Sequence, residues 1–401
     1  MSRRVWSLVH RYVGIALAAL LAFEGLTGSL LALRSPLERA FAPELHAKAP
    51  DGAARLPLAE LAGRAAELWP SLAVDYVIVR GDQALARLRH GDAQTEDDGS
   101  PHGHMIALDP WTGAELKAPV DGVWDRIRRF LDVVYRLHSN LALGSAGAWT
   151  LAVVAVLWTL DTFVSAYLTF PRGRARWPAR WGKSWLVKRS ASSFRTVYDL
   201  HRAGGLWPWP LLLAFAWSSV MLEPTPIYDL ATGALFDYRS SDAVMAAASA
   251  RPARPRLLGW REAEARGAEL IAETARERRL ALGDADALAY IEPLNVYSYG
   301  VASSLDVRGA DSDTGVWFDA ATGARLETFL PTGGRTGDSI STWLRALHFA
   351  DIRDSSLYRG LVVALGLWIA ILSGTGVLVW LKKRRGERER SLRSALGVRN
   401  S

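Results

Sequence analysis

The sequence predicts an α-helical membrane protein: four transmembrane helices forming a bundle, two small α+β domains outside it, and an internal duplication relating the halves. Three observations carry this. Four apolar runs reach or approach the roughly 20 residues that a bilayer requires; they cover 12–33, 146–170, 206–222 and 361–381. Basic residues concentrate in the short segments that flank these runs, and several motifs recur 210 residues apart.

The elements follow in order. Residues 1–33 hold a basic N-terminus and the first helix, expected to be retained because no small-residue cleavage site follows it. Residues 34–137 form the first outer domain. Within it, 57–70 has helical periodicity and 74–90 alternates as paired strands, with a polar loop at 91–104. Residues 138–170 hold the second helix, 171–205 a basic loop and 206–222 the third and shortest helix. The second outer domain, 223–347, has a helix at 260–279, strands within 287–294, 296–307 and 315–329, and a loop at 331–338. Residues 348–381 hold the fourth helix, and 382–401 form a charged tail.

Charge sets the orientation. Residues 1–12 carry three basic and no acidic side chains, 171–205 nine and one, and 382–401 eight and two. The segments 34–137 and 223–358 are instead slightly acidic, with 13 basic against 16 acidic and 14 against 20. The positive-inside tendency therefore puts both termini and the middle loop in the cytoplasm, with both large domains outside. It also accounts for the pI near 9.7 without nucleic acid, since the cations sit where membrane topology wants them. The absence of cysteine excludes disulfides, thiolate catalysis, iron–sulfur clusters and thioether-linked haem.

The duplication rests on shared spacing. Asp109-Pro-Trp-Thr112-Gly113 and Asp319-Ala-Ala-Thr322-Gly323 are 210 residues apart, as are His138 and His348, and Trp158 and Trp368. Asp caps its own backbone and Gly supplies a positive φ, so each D-x-x-T-G string suits a hairpin turn. A third copy at Asp229-Thr232-Gly233 shows that the string alone is cheap. "HRYVG" at His10 and "HRAGG" at His201 are 191 residues apart, so the length difference falls in the outer domains.

Four of the eight histidines thus stand at membrane edges: His10 and His201 on the inner side, His138 and His348 on the outer side. Singly, each reads as an interfacial anchor or a satisfied structural residue. Together they suit two haems held between facing helices, with His10 and His201 on the inner iron and His138 and His348 on the outer. Neutral imidazole binds through Nε2 while Nδ1 donates to an orienting acceptor. A two-histidine site without a ligand-spaced carboxylate is thin for zinc.

Other residues are ambiguous by sequence. Glu24 and Asp161 are the ionisable groups deepest in apolar runs, Glu24 in the outer half of the membrane and Asp161 in the inner half. They are the candidates for proton handling, quinol contact or a hydrogen bond to a haem ligand, and equally for a structural pair. Asp161 aligns with Ile371 in the repeat. Arg11 and Arg202 suit haem propionates or lipid phosphates. His90, His102 and His104, near Glu96, Asp97 and Asp98, form a weak metal-site candidate in a Gly/Asp loop. Trp177, Trp181, Trp185, Trp207 and Trp209 read chiefly as an interfacial belt.

The combination of "HRYVG" before "GLTGSLLAL", the D-x-x-T-G modules, "LH" before each return helix, and "HRAGG" resembles the PepSY-associated transmembrane proteins over nearly the whole chain. That family includes iron-regulated membrane proteins and ferric-siderophore reductases of the bacterial inner membrane. The resemblance implies PepSY-like periplasmic domains and non-covalent b-type haems at His10, His138, His201 and His348. It further implies a haem-dependent ferric-chelate reductase that releases Fe(II) for iron acquisition. No dinucleotide fingerprint follows the last helix, so no bound flavin or NAD domain is expected, and the electron donor would be a separate quinol, reduced flavin or cytoplasmic reductase. The alternatives are a non-enzymatic PepSY protein regulating a periplasmic peptidase or partner, and a transporter, which the charge-poor helix interiors do not favour.

Overall fold

The computed structural model describes residues 2–90, 104–173, 176–188, 192–252, 254–309 and 311–395. Its helices are α1 (Arg3–Ala32), α2 (Arg34–Phe41), α3 (Leu58–Leu68), α4 (Val123–Asn140), α5 (Gly144–Thr169), α6 (Trp177–Gly182), α7 (Ser193–Leu206), α8 (Trp209–Leu222), α9 (Ile227–Leu235), α10 (Ser241–Ser249), α11 (Trp260–Arg278), α12 (Thr336–His348) and α13 (Ser356–Ala395). The strands are β1 (Leu72–Arg80), β2 (Gln83–His90), β3 (His104–Leu108), β4 (Glu115–Leu116), β5 (Leu282–Ile291), β6 (Val296–Ser303), β7 (Gly315–Asp319) and β8 (Arg325–Phe329). They divide into two compact units: Met1–Arg34 with Phe130–Tyr228 and Leu357–Ser401, and Ser35–Arg129 with Asp229–Ser356.

The first unit is helical. Helices α1, α5 and α13 are long and apolar enough to cross a membrane, and α7 with α8 makes a fourth span if the bent pair counts as one. Large apolar side chains on α5, among them Val153, Leu160 and Phe163, are exposed, a surface that only hydrocarbon would cover favourably. On the inward faces, Leu21 of α1, Trp158 of α5, Leu212 and Phe215 of α8, and Leu365 and Ile369 of α13 form one cluster. Helices α1 and α13 cross at two glycines. A Cβ on Gly25 would lie 2.5 Å from the Gly366 carbonyl oxygen, so only backbone fits there. Ser29 donates to the Val363 carbonyl at 3.0 Å beside this crossing.

Several boundaries differ from the sequence reading. Residues 193–205, expected within the basic loop, form most of α7. Buried Asp199 pairs there with Arg195 and Arg202, each at 2.9 Å, so the cations serve the helix face instead of leaving it a loop. The chain then bends by 66° between α7 and α8, at Trp207 and Pro208, where proline supplies no amide hydrogen and disfavours a continuous helix. The second and fourth membrane helices begin at Gly144 and Ser356. His138 and His348 each precede them, on α4 and α12, before a break that includes left-handed residues: Leu141, Ala142 and Gly144, and Ala350, Arg353 and Asp354.

The second unit contains one sheet rather than two. Its order is β4-β3-β2-β1-β5-β6-β7-β8, all antiparallel. Each half contributes a helix, α3 or α11, and a four-stranded meander, and the halves join where Val77 pairs with Leu288. A lone meander would leave both edges open, and fusing the two removes one edge from each. Leu61, Ala65, Val77, Leu88, Leu270, Ile271, Leu288, Tyr297 and Phe318 are buried in the shared core. Glu264 of α11 accepts from the amides of Leu58 and Ala59 at 2.9 and 3.0 Å, so the second half caps the first helix of the other. Asp109 and Asp319 close matching turns, accepting from Trp111 at 2.8 Å and Ala321 at 2.9 Å. The third D-x-x-T-G string lies within α9, because no strands flank it.

Candidate functional site

The site is built on one turn from each of several helices in the helical unit. On α1, His10 directs Nδ1 at the Asp161 carboxylate of α5, at 2.9 Å to Oδ2 and 3.0 Å to Oδ1. On α7, His201 directs Nδ1 at α13, 3.1 Å from the Leu372 carbonyl and 3.2 Å from the Thr375 hydroxyl. A carbonyl can only accept, so Nδ1 of His201 carries the proton. A carboxylate does the same for His10. In a neutral imidazole held this way, the Nε2 lone pair is left for another partner.

The two rings lie 6.2 Å apart between centroids, with planes tilted by 35°. Two imidazoles that bind one iron from opposite faces, each through a bond of about 2 Å, place their centroids about 6 Å apart. The spacing and the proton positions both fit a shared axial pair. Gly376 is part of the cradle: a Cβ there would fall 3.0 Å from Cε1 of His201. Trp368 donates to the Gly204 carbonyl at 2.9 Å, one turn from His201, and packs where a Gly204 side chain would be.

The outer histidine of this unit repeats the arrangement. His138 of α4 directs Nδ1 at Glu24 of α1, 2.8 Å from Oε2, and at the Thr27 hydroxyl, 2.9 Å away. The Thr27 hydroxyl also lies 2.9 Å from the Phe23 carbonyl, to which it donates, leaving its oxygen to accept from His138. A Cβ on Gly28 would fall 3.1 Å from Cε1 of His138. Glu24 Oε1 is buried without a hydrogen-bond partner among the described residues. Glu223, the first residue beyond α8, is pushed up to about 7 by its burial, with the charge of Glu24 adding to it. His348 belongs to the other unit, where it ends α12 with its ring edge-on to Phe349 at 5.8 Å.

The structure thus brings together His10, Asp161 and His201, and separately His138 and Glu24. Arg11 sits half-buried on α1 beside His10. The Arg202 guanidinium is engaged by protein, donating to the carbonyls of Lys183, Ser184 and Leu186 besides pairing with Asp199. Trp177 and Trp181 meet tilted at 5.3 Å, Trp181 and Trp185 edge-on at 5.4 Å, and Trp207 donates to the Trp185 carbonyl at 3.0 Å. In the proposed metal loop, His102, Glu96, Asp97 and Asp98 lie outside the described residues. His104 packs its ring on Trp69 at 4.3 Å. Sequence reading assigned no role to Thr27, Gly28, Thr375 and Gly376; the signals were the string that holds Thr27 and Gly28, and small residues three or four positions from Glu24 and Leu372.

Comparison with known proteins agrees with this architecture. The chain is 26% identical over 277 residues, 63% of its length, to a Pseudomonas aeruginosa protein described as uncharacterized. The match spans 64% of that protein, less than two thirds of it. The profile of the PepSY-associated TM region matches residues 7–383, and the chain belongs to that family of membrane proteins.

Proposed function

We propose that the protein is a di-haem b oxidoreductase of the bacterial inner membrane that passes electrons to ferric chelates, the siderophore-bound iron of the periplasm or cytoplasm. The observation that supports this most directly is the pair His10 and His201: centroids 6.2 Å apart, with each Nδ1 held by an acceptor. Bound haem, held by the imidazoles of His10 and His201, would supply a one-electron Fe(III)/Fe(II) couple suited to electron transfer rather than O₂ binding. The chain's residues would orient the imidazoles and hold the Nδ1 proton, leaving Nε2 for the iron. Each electron converts one chelated Fe(III) to Fe(II), which hard oxygen ligands hold less tightly. A separate quinol, reduced flavin or reductase replaces it. On this reading both termini are cytoplasmic, His10 and His201 serve the inner haem, and His138 is a ligand of the outer.

Purified protein should carry two acid-extractable haems. His10→Ala and His201→Ala should lose or convert to high spin the same haem, and His138→Ala the other. A protein with no Soret band is a PepSY membrane protein of regulatory class instead, and identical losses in His10→Ala and His138→Ala would break the pairing.

A further inference from the structure

Each histidine of the helical unit is hydrogen-bonded within its own half of the duplication, yet the acceptors differ. His10 meets the Asp161 carboxylate, with both oxygens within 3.0 Å. His201, its counterpart, meets the Leu372 carbonyl and Thr375 at the equivalent place on α13. The residue of the second half that aligns with Asp161 is Ile371, next to Leu372. The duplication therefore preserves the direction of the Nδ1 bond while changing the acceptor from anionic to neutral. His138 again has an anionic acceptor, Glu24 at 2.8 Å.

We infer that Asp161 and Glu24 are positioning residues that set the reduction potentials of the two haems downward, by fixing the Nδ1–H tautomer and giving His10 and His138 imidazolate character. This rests on the di-haem reading above. An anionic acceptor on Nδ1–H makes Nε2 a stronger donor and favours the ferric state of its iron; a carbonyl or hydroxyl does so less. Two features argue that these contacts are more than packing. The carboxylates lie in the apolar segments Arg3–Ala32 and Gly144–Thr169, where an ionisable group is costly. Both are aimed at histidine, and in each leaflet the group opposite is the imidazole, not a lysine or arginine. Low potentials suit one class of acceptor: Fe(III) held by hard, anionic oxygen donors, whose preference for the ferric ion makes it hard to reduce. Such chelates, more than nitrogen- or sulfur-ligated iron, are the substrate this arrangement serves.

The test is a spectroelectrochemical titration of the purified full-length holoprotein, with haem content measured first. Asp161→Asn, which keeps shape and removes charge, should leave two low-spin haems and raise one couple. A change of about tenfold in the reduction equilibrium, the lower end of such outer-sphere effects, is about 59 mV for one electron. Glu24→Gln should raise the other couple alone. Thr375→Val, touching only a neutral acceptor, should move the first couple much less. Asp161→Glu should retain haem at nearly the parental potential, so loss of haem in that variant overturns the inference even if the Asn protein does not fold. Two haems with unshifted couples in both Asp161→Asn and Glu24→Gln would overturn it while leaving the di-haem reading intact. Protein without haem, or with one haem regardless of His10 and His201, would defeat the underlying reading instead.

Discussion

The crossing of α1 and α13 offers a sharp test of the helical unit, because alanine at one glycine should be costly and at another free. A Cβ on Gly366 would be driven against the Gly25 carbonyl oxygen and the Ser29 hydroxyl. The hydroxyl can rotate away; the carbonyl belongs to a helix and cannot. Carbon–oxygen contacts settle near about 3.3–3.6 Å, so Gly366→Ala requires the helices to part by about 1 Å. That separation strains the cluster of Leu21, Leu365 and Ile369 and lengthens the Ser29–Val363 hydrogen bond. Overpacking costs about 1–3 kcal/mol and an interhelical hydrogen bond in a membrane about 0.6 kcal/mol, so the substitution should destabilise by about 2–4 kcal/mol. Gly374 lies on the same helix with nothing within 4 Å of its virtual Cβ. Gly374→Ala should therefore be neutral, or stabilising by up to about 1 kcal/mol through helix propensity. Thermal unfolding of both variants in one detergent, followed by far-ultraviolet circular dichroism, measures the difference. Equal stability of the two alanine variants would refute the close backbone crossing.

Two further expectations concern the outer unit and the orientation. Burial pushes Asp286 up to about 6, with Asp306 and Asp311 adding to the shift and the bonds from Ser312 opposing it. Because the folded state then binds the proton more tightly than the unfolded state, this group's stability contribution is intact below about pH 4 and lost as pH rises to about 6, by up to about 3 kcal/mol. Asp286→Asn should accordingly gain melting temperature over the parent as pH rises through that window, and a difference independent of pH would contradict the assignment. Reporter fusions after Gly386 should read cytoplasmic and those within 91–100 and 331–337 periplasmic; one reversed loop would undo the proposed side of each histidine.

The apolar runs of α1, α5 and α13 were legible because hydrocarbon thickness imposes a length that composition reveals. The helices α3 and α11, the hairpin of β1 and β2, and strands β6 to β8 were legible from their periods, whereas β3 and β4 were not and β5 begins at Leu282, before the expected 287. The fusion of the meanders was not: the pairing of Val77 with Leu288 joins segments some two hundred residues apart, and strand alternation reports which face is buried, not which edge is paired. The α7 boundary failed for a different reason. Its arginines look like a cytoplasmic run by charge alone, and only the buried Asp199 between them makes the segment a packed helix. Glu24 and Asp161 stood out as costly groups, but their partners were hidden, because a hydrogen bond between helices has no spacing rule within one chain.

What the duplication repeats and what it does not repeat separates two requirements of the site. The histidines recur, His10 with His201 and His138 with His348, as do the glycines or small residues that let a ring lie against a neighbouring helix. The carboxylates do not recur: Asp161 corresponds to Ile371, and under the spacing that relates His10 to His201, Glu24 corresponds to Phe215. The second half holds its histidine against α13 with an isoleucine and a phenylalanine at these positions, so the carboxylates are not needed simply to place a histidine against a neighbouring helix. One anionic contact per leaflet is enough, however, if its purpose is to set the potential of an iron that two histidines share. Making both axial ligands anionic would place a second buried charge beside the first, whose desolvation and mutual repulsion grow steeply in a medium of low dielectric. On the di-haem proposal, Asp161 and Glu24, both on the first half, would tune the metals at a smaller electrostatic cost than carboxylates on both ligands of one iron.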